Sequence, residues 1–394
     1  MRELTGLEIS SGLVLPPARR APALPRLEPG TTPRTAFEAA VRPLLDRSPC
    51  LVSFSGGRDS SAVLAIATAI ARREGLPLPV PVTHRFPSAA LTQETEWQEQ
   101  VIGHLGLTDW VRIDAAGDLD CVGSVATDVL RRHGLLWPCN AYFHAPIFEA
   151  AAGGAVLTGV GGDEAFSPSS WTHAFNVLKL KARPGPRNLK HVGFAFSPQF
   201  VKRAVIRRSL PEVCPWLRPE AREQIERYVA DGAASEPLRW KTRYRQLADS
   251  GYLEICLDSL GVLAGDHDVA LAHPFHDTTF LTALAALPRA ERPRTRTEAM
   301  RMLVGDLLPE PVLSRSTKAR FDNVFWTEHA RELVADWNGE GVDPSIVDID
   351  RLRAEWASET PEAHTFTLLQ SVWLTRARAA GQLPAAATPS RAAG

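Results

Sequence analysis

The chain has 394 residues, of which 44% are hydrophobic and 23% charged, and its formal net charge is −1. This balance excludes a disordered or fibrous protein and supplies no global field toward nucleic acid or an acidic membrane, so neither is expected as a partner. No stretch carries the roughly 18 consecutive apolar residues that cross a bilayer, and the scattered cysteines (50, 121, 139, 214 and 256) form no C-x-x-C pair, a pattern that suits a reducing cytoplasm.

Residues 1–35 are proline-rich and predict an irregular arm, followed by a helix over Thr35–Leu45. The run Leu51-Val52-Ser53-Phe54 then ends at Ser55-Gly56-Gly57-Arg58-Asp59-Ser60-Ser61, and the helix-forming Ala62–Arg73 follows. A strand, a glycine turn and a helix N-terminus in that order make a ready anion site, because the first helical N–H groups are unpaired and the dipole is positive there. Gly56 and Gly57 permit close backbone approach, and the hydroxyls of Ser55, Ser60 and Ser61 add donors for phosphate oxygens. Asp59 suits such a loop if a cation bridges it to the phosphates, so the stretch reads as a magnesium-assisted phosphate cradle. The plainer alternative is a strand-to-helix turn with capping serines. A Walker A loop is excluded by the spacing and the missing lysine.

Further strands are predicted at Pro79–Phe86, Trp110–Ile113 and Ala155–Gly159. Helices are predicted at Glu94–Leu105, with Trp97, Val101 and Leu105 on one face, at Cys121–His133 and at Phe143–Ala152. Strands alternating with helices imply an α/β fold with a doubly wound parallel sheet, whose ligands sit at the carboxyl ends of the strands. The turn Thr158-Gly159-Val160-Gly161-Gly162-Asp163-Glu164 falls at such an end. Its glycines, Gly161 and Gly162 among them, allow a ligand close to the backbone, and its carboxylates call for a metal intermediary. Asp59 and Asp163 are therefore the expected magnesium ligands, bridged through the metal to phosphate.

Beyond Phe166 the pattern changes. No acidic residue lies between Glu164 and Glu212, whereas Lys179, Lys181, Arg183, Arg187, Lys190, Lys202, Arg203, Arg207 and Arg208 are basic. This predicts either a solvated cationic face or a docking surface for an acidic or phosphorylated partner. The expected organisation is an arm (1–35), a nucleotide-binding core (36–175), a basic insertion (176–218), a mainly helical lobe (219–335) and a C-terminal helix with a disordered tail (336–394). Asp266, His267, Asp268, His273, His276 and Asp277 invite a metal-cluster reading, but their spacing matches no metalloprotease arrangement. Glu94 and Glu96 either face the substrate pocket or, the preferred reading, are surface helix caps. The aromatic residues of Trp137–Tyr142 either line a pocket or pack, and nothing near Cys139 argues for a reactive thiol.

The first loop resembles the S-G-G-x-D-S loop of the ATP pyrophosphatases, and the resemblance extends to the synthetase half of the asparagine synthetase family. That family follows its first loop with G-x-G-S/G-D-E, here Gly159–Glu164, and with P-F-L-D, here within His273–Asp277. A late helix ending here in Asp306-Leu307-Leu308-Pro309-Glu310 then leads to R-P-K-x-G-F, here Ser314–Phe321. The resemblance implies an adenine-nucleotide-hydrolase-like core with a C-terminal, mainly helical lobe. It also implies that ATP carries the phosphate, in an AMP-forming reaction in which a carboxylate is adenylated, pyrophosphate leaves and an amine displaces AMP. It assigns Lys318 to the phosphates and the acyl-adenylate, as a catalytic residue beside Asp59 and Asp163, and places adenine against Val82, Thr83, His84 and Arg85.

Two departures narrow the expectation. Glutamine-using members carry a nucleophilic cysteine after the initiator methionine, where this chain has Arg2, so no glutaminase is expected. The position of Val160 carries Glu in asparagine synthetases and Tyr in β-lactam synthetases, and valine neither positions nor deprotonates an amine. The chain is closest in logic to the β-lactam synthetases and lasso-peptide macrolactam cyclases, which take the amine from their substrate. An ammonia-dependent or partner-fed amidotransferase and a non-catalytic ATP-binding scaffold are the alternatives.

Overall fold

The computed structural model describes residues 2–15, 24–86, 94–115, 118–167, 186–315 and 322–384. Its centre is a parallel five-stranded sheet, β1 Cys50–Ser53, β2 Val80–Arg85, β3 Val111–Asp114, β4 Ala155–Leu157 and β5 Ala270–Ala272, in the order β3-β2-β1-β4-β5. β1 is the middle strand, its Leu51 level with Val80 of β2 on one side and Val156 of β4 on the other. The chain steps outward from β1 to β2 and β3, then returns to place β4 on the opposite side of β1. The order therefore reverses between β1 and β4, and the crevice at the carboxyl ends of those strands is where such sheets bind ligands. Both glycine loops open there.

Helices α2 Pro33–Val41, α3 Arg58–Glu74, α4 Thr95–His104, α5 Ser124–His133, α6 Ala145–Ala150 and α7 Gly162–Phe166 surround the first part of the sheet, while α1 Gly6–Ser11 packs on the C-terminal helix. α3 buries an unbroken run from Ser60 to Thr68, whose alanines let the helix lie close to the strands. Val52 belongs to an apolar cluster with α2, α3 and the later helices Thr278–Ala286 and Arg296–Val304. Leu51 and Val82 belong to a second cluster with α5, α6 and the helix Gly251–Gly265. Covered on both faces, a parallel sheet of this kind needs continuous apolar strands, and Cys50-Leu51-Val52 and Ala155-Val156-Leu157 supply them. A third cluster joins Trp216, Leu217, Trp326, Trp337, Trp356 and the helix Phe366–Ala379.

The N-terminal segment docks on this body. α1 is closed by a capping box between Thr5 and Glu8, Trp216 donates to the Ser10 carbonyl at 2.7 Å, and Trp137 donates to that of Gly12 at 3.1 Å. β5 lies inside the stretch expected to be mainly helical; it adds a parallel edge to β4 and carries the chain into His273. The tail from residue 385 and most of the basic stretch up to residue 185 lie outside the described residues. What is described of that stretch is less cationic than its sequence. Lys202 is buried, Arg203 pairs with Asp231 at 2.7 Å and Arg207 with Glu223, so acids of the helix Pro219–Ala234 answer its charges.

Candidate active site

The first loop begins where β1 ends. Gly56 has φ +82°, and a Cβ there would come within 2.9 Å of the Gln98 side chain, so the turn admits glycine and little else. Ser60 closes the turn, its hydroxyl accepting from the Ser55 N–H at 3.2 Å and donating to the Gly57 carbonyl at 3.1 Å; the Ser55 hydroxyl accepts from the Gly57 N–H. Gly57 stands at the N-cap of α3 and carries no side chain to occupy the first-turn donors, which fits an anion taking that place. Ser61 differs from the expectation. It is fully buried in α3, so its hydroxyl does not reach the open side of the loop.

The second turn folds directly onto the first. A Cβ on Gly162 would sit 2.4 Å from the carboxyl carbon of Asp59, and one on Gly159 would sit 2.9 Å from the Ser60 nitrogen. The glycines of this turn thus bring its backbone against the start of α3, and Gly161 caps α7 beside His276. Under the turn an edge-to-face cluster of Phe37, Phe166, Phe275 and Phe280 ties α2, α7 and the Pro274–His276 turn together. The Val160 N–H donates to the Thr158 hydroxyl, which shares a 2.6 Å hydrogen bond with His273 Nδ1. The Val160 side chain itself packs against the second apolar cluster. The Tyr252 hydroxyl donates to Glu164 at 2.7 Å.

Asp59 and Asp163 meet across these turns through a residue that neither motif contains. The guanidinium of Arg296 forks to Asp59 Oδ2 through one nitrogen and to Asp163 Oδ1 through another. Burial pushes the Asp59 carboxyl up, while Arg296 pulls it down. Arg58, half-buried at the start of α3, has its own pKa lowered by burial and by the repulsion of Arg296 and Arg315. The mouth of the loop is therefore a concentration of guanidinium charge offset by carboxylates, which suits a polyanionic ligand accompanied by a metal. The donor set fits magnesium: two carboxylates from two loops, with Asp59 Oδ1 buried and lacking a hydrogen-bond partner.

A second buried pair holds the cradle from behind. Glu94, expected to be a surface cap, is buried and pairs with Arg315, itself buried; Arg315 also donates to the Gly56 carbonyl at 2.9 Å and lies 4.8 Å over the Trp97 ring. Arg315 ends the described chain just before residues 316–321, and Lys318, the expected catalytic cation, lies outside the described residues.

Beside the loop is a cavity of about 320 Å³, floored by Ser53–Ser55 and Val82–His84 and walled by Asn140, Phe143, His144 and Phe325. Phe143 packs against His84 with ring centres 4.2 Å apart, and its carbonyl accepts from His84 Nε2 at 2.8 Å. Burial holds the imidazoles of His84 and His144 near pKa 4, hence neutral at physiological pH. Of the four residues expected against adenine, Val82, Thr83 and His84 line this cavity. Arg85 is exposed and instead pairs with Asp114 at 3.0 Å. The Trp137–Tyr142 stretch divides: Asn140 lines the cavity, whereas Tyr142 is buried and donates to the Leu119 carbonyl. Among the described residues no three His, Cys, Asp or Glu side chains are grouped to hold a metal. Asp266 pairs with Arg132 and His133, and Asp277 caps the helix Thr278–Ala286.

A parallel sheet with a glycine loop at its switch point, paired carboxylates and an adjoining aromatic cavity defines an α/β protein built to hold a phosphorylated ligand. A family model described as asparagine synthase matches residues 33–377, and the chain belongs to that family. Its activity class is thereby that of an ATP-dependent carbon–nitrogen ligase. No curated protein sequence matches the chain significantly. Among the described residues no helix is long and apolar enough to cross a membrane.

Proposed function

We propose that the chain adenylates a carboxylate with ATP and passes the acyl group to an amine, drawn from a peptide or small specialised metabolite. The observation that carries this reading is the meeting of Asp59 and Asp163 at the β1/β4 crevice, directly over the glycine loop. ATP would lie with its base in the cavity beside β2 and its β- and γ-phosphates on the Gly56–Ser60 turn and the start of α3. Asp59 and Asp163 would hold magnesium, which when bound neutralises phosphate charge and favours departure of pyrophosphate. A substrate carboxylate oxygen then attacks the α-phosphorus, the bond from that phosphorus to the bridging oxygen breaks, and pyrophosphate leaves. The amine next attacks the acyl carbon, a C–N bond forms, and AMP leaves with the electrons of the C–O bond as the amine loses a proton. Arg58 would supply fixed positive charge beside the phosphates during the first step, and the family resemblance gives Lys318 a like role.

Among the described residues before β1, Gly6–Ser11 and Pro33–Val41 form helices; the amine would be one the substrate carries or one a partner delivers. Val160 brings no proton acceptor to the second turn, in keeping with an acceptor unlike that of asparagine synthetases. Exchange of labelled pyrophosphate into ATP, run against a panel of carboxylates, tests the reading. A carboxylate-dependent exchange that Asp59→Asn abolishes is expected. Nucleotide binding without exchange or AMP release on any substrate would favour a scaffold instead.

A further inference from the structure

Arg296 opens the helix Arg296–Val304, with Thr295 as its N-cap accepting from the Glu298 N–H at 3.1 Å, so its Cα is fixed at the rim of the crevice. From there its fork joins the same carboxylates that the proposed reading gives to magnesium. Asp59 and Arg296 have side chains 18% and 19% exposed, so that arm of the fork is enclosed, whereas the Asp163 side chain is 46% exposed. Its two acceptors, Asp59 Oδ2 and Asp163 Oδ1, come one from each loop, and a divalent cation taking those oxygens would have to displace the guanidinium. Arg58 stands close enough to be repelled by both Arg296 and Arg315. A lone cation entering this crevice would therefore meet several positive groups, while one arriving with nucleotide phosphates would bring their negative charge with it.

We propose that Arg296 is a built-in counter-ion that closes Asp59 and Asp163 to a lone divalent cation and yields them when the cation arrives with the nucleotide. The inference rests on the nucleotide reading of this crevice. It predicts an order of assembly, nucleotide and metal together, and a role for Arg296 in positioning the two carboxylates before either binds. Conserving charge alone is insufficient for that role, because an ammonium lacks the planar fork that reaches two carboxylates at once.

The test uses Mn²⁺ as probe on the full chain, read by water-proton relaxation enhancement with and without α,β-methylene-ATP. Without nucleotide, Arg296→Met should bind Mn²⁺ about ten-fold or more tightly than the natural chain, since a like charge at the site is removed. With the analogue, the two should converge. Arg296→Lys should gain binding by less, and it carries the comparison if Arg296→Met melts early by circular dichroism. No gain in either variant, with analogue-dependent enhancement intact in the natural chain, would overturn the inference and leave the reading of the site standing. Analogue-dependent enhancement unaffected by Asp59→Asn would overturn both.

Discussion

Removal of the Arg315 guanidinium perturbs the structure behind the phosphate loop most sharply. The Arg315 side chain is 4% exposed and that of Glu94 is 8%, so both charges have left water and the pair is isolated from bulk screening. Arg315→Met takes the guanidinium from a buried carboxylate and a donor from the Gly56 carbonyl. Breaking one side of such a pair costs about 3–5 kcal/mol, a large fraction of a typical domain's stability. Glu94→Met should cost a comparable amount for the same reason, whereas the double variant replaces the pair by apolar groups and should recover about 2–3 kcal/mol of the sum. Urea unfolding midpoints of the four chains give the coupling. Because Arg315 also fixes the carbonyl of the turn glycine, the single variants should raise the KM for ATP more than that for the carboxylate. Additive midpoints, with Arg315→Met costing less than about 1 kcal/mol, would refute the claim that this pair braces the cradle.

Gly162→Ala places a methyl group where the Asp59 carboxylate stands, and the expected outcome is loss of ATP binding in calorimetry with a stability loss of only about 1–3 kcal/mol; unaltered binding would mean the two turns separate freely. Phe143→Ala removes a wall of the cavity beside β2 and should weaken ATP binding by about ten-fold while sparing pyrophosphate binding, and equal loss of both would place the base elsewhere. His84, His144 and His273 are held by burial near pKa 4, 4 and 3, below their unfolded value, so the unfolded chain binds protons that the folded chain refuses as pH falls below about 6.5. Stability is therefore complete above that pH and declines by up to about 1.4 kcal/mol per pH unit for each imidazole down toward pH 4. Imidazole proton resonances from these residues that titrate near 6.5 in the folded protein would contradict this.

The features that were legible in the sequence are those encoded locally. The Ser55–Ser61 loop, the Gly159–Glu164 turn and the first strands and helices each announce themselves within a dozen residues, by a glycine turn or a change of apolar period. Those that were not legible depend on partners distant in the chain. β5 is three residues long, Ala270-Leu271-Ala272, and becomes a strand because β4 lies beside it. Glu94 looked like a surface cap because its partner, Arg315, lies 221 residues away. Arg296 stands in the arginine-rich stretch Arg289–Arg301, where nothing local sets it apart from its neighbours; only the approach of α3 and α7 does so. The charges of Arg203 and Arg207 are offset for a related reason, since the acids that answer them sit on the following helix.

The central claim is that ATP is split between its α- and β-phosphorus atoms by a substrate carboxylate. Turnover with a carboxylate labelled by ¹⁸O in both oxygens, followed by mass spectrometry of the nucleotide product, addresses it directly. The account predicts AMP carrying one ¹⁸O atom, pyrophosphate carrying none, and an amide retaining the other. ADP with label in inorganic phosphate, or unlabelled AMP formed without amide, would contradict it.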